Sequence, residues 1–313
     1  WWHLKTGQWI RAQGTVPQTD LFTFGAEGHR WTDLHWLFQV LTSLVHEQFG
    51  MRGLNLAKCV LTTVAALLLI TARRSGWPLW LMVLAWMPAL LVLGGRMYVR
   101  PETLTLVYLA VFLAVVFRIQ EHPRLAYLLP LVQLLWVNSQ GLFVFGPFLF
   151  GVAILSHALT RSGARVRDPA WWRTILQAFG LTLIACVINP YGLLGALYPF
   201  ELLGTMSSPL FSESIAELTP IPKLIEDFGF PPLPANRVQA FLRILGDSPE
   251  YPLPLQLHLA TIVVGGLSFL IPWGFEGARV VAKLTRRADP AVAEPPTESR
   301  KRSSKKLESS GGS

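Results

Sequence analysis

The chain has 313 residues, of which 51% are hydrophobic and only 15% charged, and it carries 12 Trp and 18 Phe. That composition excludes an ordinary soluble domain and suits a protein that sits at and within a membrane interface. The formal net charge of +8 could suggest nucleic acid, so where the charge falls matters more than its size.

In chain order, residues 1–31 read as a polar, turn-rich loop. Residues 32–48, TDLHWLFQVLTSLVHEQ, put Leu34, Leu37, Phe38, Leu41, Leu44 and Val45 at helical spacing, opposite Asp33, Gln39, Thr42, Ser43, His46 and Glu47. This predicts an amphipathic helix lying in the interface, capped by Thr32 and with Asp33 complementing its N-terminal dipole. A span needs about 20 mainly apolar residues. Candidate spans lie at 54–72, 77–95, 102–117, 125–138, 141–160, 174–190 and 257–275. The fourth contains Pro130 and is expected to be tilted, broken or re-entrant. Residues 191–256 hold ten prolines and read as an irregular outer loop. Within it, ANRVQAFLRILGD places Val238, Phe241, Leu242 and Leu245 on one face of a short helix. The tail, 276–313, is Pro-, Ser- and charge-rich and is expected to be disordered. Cys59 and Cys186 lie in apolar runs, without metal-ligand spacing, and read as packing residues.

The expected architecture is therefore an all-α polytopic membrane protein with seven visible spans. Its parts are an outer loop (1–53), a six-span core (54–190), a Pro-rich outer loop (191–256), a last span (257–275) and a cytoplasmic tail. With the N-terminus outside, the inner segments 73–76, 118–124, 161–173 and 276–313 hold 17 of the 27 basic and 7 of the 19 acidic residues, a net of +10. The remainder is net −2. The basic excess follows the positive-inside rule, and no nucleic acid is needed to explain it.

Several polar motifs emerge at the outer ends of spans: RMYVRPE (96–102), WVNSQG (136–141) and VINPYG (187–192). Arg96 and Arg100 are forked cations suited to a phosphate. Asn138 and Asn189 are amides that can donate and accept. Lys5 and Tyr191 lie on the same side. Asp20, in PQTD, is either a turn residue or a catalytic or metal-binding acid. Glu102 opens a span, either complementing its dipole or facing a pocket. Glu213 and Glu217 are further outer acids, read as a solvated face. His3 and His35 have no zinc-like spacing.

Taken together, WWHLKTGQWI, GTVPQTDLFTF, DLHWLFQ, RPE, PLVQLLWVNSQG and NPYG resemble the bacterial C-type (GT-C) glycosyltransferase-like membrane proteins over residues 1 to about 220. The resemblance implies an inverting transfer of sugar from a polyprenyl-phosphate donor to a lipid, glycan or protein acceptor, on the periplasmic face of the cytoplasmic membrane. It implies a loop acid that activates the acceptor or holds a divalent cation, and Arg or Lys on the donor phosphate. It also implies one more span ahead of Trp1, with the family's loop Asp between that span and the WWHL stretch. Where the family commonly has His, this chain has Gln140, so no imidazole role carries over. On that basis Asp20 and Glu102 are the catalytic candidates, and Lys5, Arg96, Arg100, Asn138, Asn189 and Tyr191 the substrate or phosphate ligands. Two other readings remain: a non-catalytic protein of this fold that binds a lipid-linked glycan or a partner, and a transporter or flippase. The last is disfavoured by span interiors nearly free of charge and by the lack of a repeat.

Overall fold

The computed structural model describes residues 1–25, 28–71, 99–159, 168–206, 229–246 and 255–263, and the single positions 223, 226, 251 and 265. The expected span 77–95, Arg96, Glu213, Glu217 and the tail lie outside them, as does most of the span 257–275. Among the described residues the fold is helical, and the only β feature is an isolated bridge between Thr19 and Arg30.

The first departure from the sequence reading comes at once. Residues expected to be loop form a helix, α1 (Trp2–Gln13), closed by Gly14 in the left-handed conformation with its N–H on Ile10 O. The helix forms because Thr6, Gly7 and Ile10 make a narrow buried stripe against the next helix. At Gly7 the approach is so close that a Cβ would stand 2.9 Å from Ser43 Cβ.

Helix α2 (Trp36–Thr71) is broken at Gly50, whose φ of 60° and ψ of −158° are not helical. The break separates the expected interfacial helix from the expected span. The polar face of the first half is not solvated, however. Asp33, Gln39, Thr42 and Ser43 are buried, whereas Leu41 and Leu44 are exposed. The polar residues pack against α1; of the apolar stripe, Leu34 and Phe38 join the core while Leu41 and Leu44 face outward.

Helices α3 (Glu102–Val116), α4 (Leu128–Val137), α5 (Phe145–Leu159) and α6 (Pro169–Ala185) form the bundle. Short 3-10 turns, Pro123–Tyr127 and Gly141–Val144, lead into α4 and α5. Pro130 sits in the first turn of α4, where no intrahelical N–H is required, so the helix is not broken. Asp168 caps α6 through Ala170 N at 2.9 Å, with Pro169 at its first position. That cap starts and ends the helix about five residues before the expected span 174–190. Helix α7 (Leu193–Met206), with Pro199 inside it, occupies part of the expected irregular loop. Helix α8 (Arg237–Gly246) falls where expected, its first amides held by Asn236. Its inward residue is Ile244, packed with Tyr251, while Val238 and Leu242 point outward.

The bundle core joins Phe112, Leu129, Trp136, Phe150 and Ile175, all fully buried. A few polar bonds pin the helices together: Trp136 Nε1 donates to Thr105 Oγ1 (3.2 Å), Tyr108 meets Ser139 (3.2 Å), and Gln133 Nε2 donates to Phe143 O (3.0 Å). Around this core, Leu, Val, Ile and Phe side chains of α2, α4, α5, α6 and α7 are exposed.

Among the described residues, two helical stretches, Trp36–Ile70 and Gly141–Leu159, are long and apolar enough to cross a membrane, and the seven expected spans are not supported. Only 11% and 17% of their most apolar windows is buried, the reverse of a core helix in a soluble protein. The others are shorter: α3, at 15 residues, is about 22 Å long against a hydrocarbon core of about 30 Å.

Candidate functional site

The bundle has two chemically distinct ends. At one, Trp171 Nε1 donates to Ile119 O (2.9 Å) and Gln120 meets His157 (3.0 Å). This end gathers residues from the expected inner segments. At the other end, the motifs singled out in the sequence meet one another.

Tyr191, of NPYG, accepts a hydrogen bond on its hydroxyl from Asp33 N (2.9 Å) and donates to Pro17 O (2.8 Å). Trp36 Nε1, of DLHW, donates to Asn138 Oδ1 (2.9 Å), and Leu37 N donates to Asn138 O (3.0 Å). The Asn138 amide donates in turn to Leu134 O (2.8 Å) and Ile188 O (2.9 Å). Four segments separated by up to 174 residues are thus bonded into one head over α3–α6.

At its centre is the Asp33 carboxylate, fully buried. Its Oδ1 accepts from His35 N (3.0 Å) and from Gln39 Nε2 (3.1 Å), with His35 Nδ1 at 3.8 Å. Among the described residues, Asp33 Oδ2 and Gln39 Oε1, both buried, have no hydrogen-bond partner. Burial pushes the Asp33 carboxyl up to about 6, and the bonds from His35 and Gln39 only partly oppose this. Gln39 Nε2 also lies 3.5 Å from His3 Nδ1. Burial lowers both His3 and His35 to about 4, and for His3 the neighbouring His35 and Arg100 add to the shift. Both imidazoles are neutral at pH 7, so a His3 ring nitrogen can accept the amide proton. Tyr191 is pushed up to about 12, chiefly by burial, and stays a neutral phenol.

Aromatic rings roof this centre. Trp2 stacks on His3 at 4.1 Å between ring centroids and meets Trp31 edge-on at 5.9 Å; His3 meets Phe38 at 5.4 Å. Two clefts flank the Trp2–Trp31 pair. One, of about 390 Å³, is lined by Trp1, Trp2, Lys5, Gln8, Phe22 and His46. The other, of about 410 Å³, is bounded by Gln18, Thr19, Arg30, Trp31, Pro190 and Tyr191.

The residues predicted from sequence therefore fall into distinct places. Lys5 lines the first cleft and Tyr191 the second. Arg100 lies near His3. Asn138 and Asn189 are engaged in the frame: Asn189 Nδ2 donates to Cys186 O (3.0 Å) and Gly192 O (2.9 Å), and its Oδ1 accepts from Tyr191 N (2.9 Å). The Asp20 carboxylate accepts from Phe22 N and Thr23 N, both at 2.9 Å, which lowers its pKa and closes a turn. Glu102 is exposed in the first turn of α3. Gln140, where an imidazole was not carried over, caps the 3-10 turn through Leu142 N.

Asp33 and Gln39, read in the sequence as a dipole partner and a solvated face, are the buried centre. The signal was present, because polar residues at 33, 39, 42 and 43 share one helical face. What was not visible was Gly7 opposite them. Among the described residues no three His, Cys, Asp or Glu side chains gather as metal ligands. Comparison with models of known protein families, with curated proteins and with solved structures found no match.

Proposed function

We propose that this chain is a multi-pass protein of the bacterial cytoplasmic membrane and a glycosyltransferase of the C type, its polyprenyl-phosphate-sugar site in the head around Asp33. The observation that carries this reading is the meeting of DLHW, WVNSQG and NPYG, distant in sequence, around one buried carboxylate. The outward apolar surfaces of the helices support lipid as their solvent. Shorter helices such as α3 then serve as tilted or locally matched spans, and α8, with Val238 and Leu242 outward, as a helix resting on the bilayer. The end holding Ile119 and Trp171 faces the cytoplasm, following the positive-inside rule.

In the proposed reaction the head opens enough for an acceptor hydroxyl to reach and donate to Asp33 Oδ2, which is buried and has no hydrogen-bond partner among the described residues. With a pKa of about 6, Asp33 is ionised at neutral pH yet basic enough to take that proton. The acceptor oxygen forms the new bond to the sugar's anomeric carbon as the bond from that carbon to the phosphate oxygen breaks. Polyprenyl phosphate leaves with the electron pair, and the configuration inverts. Lys5 and Arg100 supply fixed positive charge for the departing phosphate. Asn138, Asn189 and Tyr191 position the head.

The sealing of the Asp33 side chain favours a second reading, a non-catalytic protein of the same fold that binds a lipid-linked glycan. One experiment separates the two. Purified full-length protein is given a radiolabelled polyprenyl-phosphate sugar, and release of polyprenyl phosphate is followed for the wild type, Asp33→Asn and Asp20→Asn. Transfer by the wild type, abolished in Asp33→Asn and kept in Asp20→Asn, is the expected result. Binding of the donor without release assigns the protein to the second reading.

A further inference from the structure

The two clefts flanking the Trp2–Trp31 pair differ in chemistry, and the difference points to what each holds. The Lys5 cleft is walled by Trp1, Trp2, Leu4 and Phe22, with one cation. It suits an apolar chain ending in an anion. The second cleft offers two aromatic rings, Trp31 and Tyr191, together with Arg30, Gln18 and Thr19.

We infer that the cleft between residues 18–31 and Pro190–Leu194 is a carbohydrate subsite, taking a pyranose ring of the acceptor glycan against Trp31. A pyranose has a C–H face, which loses little on leaving water against an aromatic ring, and a rim of hydroxyls that must keep hydrogen bonds. Arg30 supplies donors for that rim, while Gln18 and Thr19 supply both donors and acceptors. A volume of about 410 Å³ lies within the range of small-ligand pockets.

The walls are also held in place before any ligand arrives. Thr19 and Arg30 form an antiparallel bridge. Asp20 N donates to His29 O and Trp31 N to Gln18 O, both at 2.8 Å. Tyr191 ties the far wall to Pro17 O at 2.8 Å. A preformed cleft avoids much of the ordering cost of binding. The Asp20 turn gains a purpose here, since it closes the hairpin that presents Gln18, Thr19, Arg30 and Trp31. Tyr191 joins this cleft to the Asp33 backbone at 2.9 Å, which sets the subsite beside the carboxylate.

The assignment to the acceptor rests on the glycosyltransferase reading; carbohydrate binding by the cleft does not. Detergent-purified full-length protein is applied to an array of immobilised oligosaccharides in the absence of any lipid-linked donor, as wild type, Trp31→Ala, Trp31→Tyr, Arg30→Gln and Lys5→Ala. Retention on at least one array glycan is expected, weakened about tenfold or more by Trp31→Ala, weakened by Arg30→Gln, largely kept by Trp31→Tyr and unchanged by Lys5→Ala. No retention on any glycan overturns the proposal, as does retention indifferent to Trp31→Ala and Arg30→Gln. Circular dichroism of each variant identifies one that fails to fold, and the remaining variant at 30 or 31 then decides. The transfer assay keeps the two claims apart. Glycan retention without transfer removes the enzyme and keeps the subsite. Transfer with an acceptor KM unchanged in Trp31→Ala removes the subsite and keeps the enzyme.

Discussion

The Tyr191 hydroxyl is shared between two chain segments, accepting from Asp33 N at 2.9 Å and donating to Pro17 O at 2.8 Å. One side chain from beyond α6 thereby fixes both flanks of the hairpin that leads into α2. Tyr191→Phe keeps the ring and removes only the oxygen, leaving a donor and an acceptor without their partner. The expected cost is about 1–3 kcal/mol, read as a lowered Tm in detergent. Proteolysis in the stretch 14–31 should become faster, while the bundle resists as before.

Gly7 is where α1 meets α2. A Cβ there would stand 2.9 Å from Ser43 Cβ and still closer to the Gln39 backbone, which cannot move without moving the buried polar centre. Gly7→Ala is expected to destabilise by roughly 1–3 kcal/mol. Gly180, in the middle of α6, has nothing within 4 Å of its would-be Cβ. Gly180→Ala should be neutral, or stabilising by up to about 1 kcal/mol. Thermal unfolding of the two variants side by side checks both.

Asp33→Asn is expected to part activity from stability. The folded-state pKa of Asp33 is raised to about 6 from an unfolded value near 4. Between those values the folded state holds more protons, so stability falls as pH rises from about 4 to about 6, and the whole penalty is present at neutral pH. That penalty is on the order of 3 kcal/mol, and an uncharged Asn escapes it. At pH 7.5 the variant should therefore be as stable as the wild type or more so, while sugar transfer falls by about 100-fold or more. A Tm series from pH 4 to 8 beside the transfer assay reads both effects. The stability gap between variant and wild type should close as the pH drops below 5.

His3 and His35 act in the opposite direction. Each is lowered to about 4 from 6.5, so the unfolded chain holds more protons between those values. Their contribution is complete above about 6.5 and is lost as pH falls toward 4. Two histidines outweigh the single Asp33 over this window, so the head should loosen in acid. The double variant His3→Gln, His35→Gln is expected to flatten the acid limb of Tm against pH. An unchanged limb would show that the acid sensitivity arises elsewhere.

The helical class, the break at Gly50 and the short helix α8 behind Asn236 follow from local chemistry: a glycine free to leave the helix and an amide that holds first-turn N–H groups. Helix α1 was not legible, since residues 1–31 read as loop. The apolar composition likewise indicates lipid in the sequence itself. What local chemistry could not give was which face of residues 36–48 turns inward. The expected interfacial helix leaves Leu41 and Leu44 to the bilayer and Gln39 and Ser43 to water. Helix α1 takes the place of water there, so Gln39 and Ser43 are buried against it while Leu41 and Leu44 stay exposed.

Asp20 and Asp33 carry the same lesson for the site. From sequence, Asp20 stands in a turn and Asp33 in the first turn of an expected helix, and that reading ranks Asp20 as the catalytic candidate. Sequence alone determined that acids, amides and aromatic rings would gather at one end of an apolar helical protein. Only the tertiary structure decided that Asp20 keeps its carboxylate in a turn, while Asp33 is sealed under Tyr191, Gln39 and the histidines. The physical reason is burial. Desolvation is what sets an acid's pKa and leaves its second oxygen without a partner, and it depends on residues up to 158 positions away.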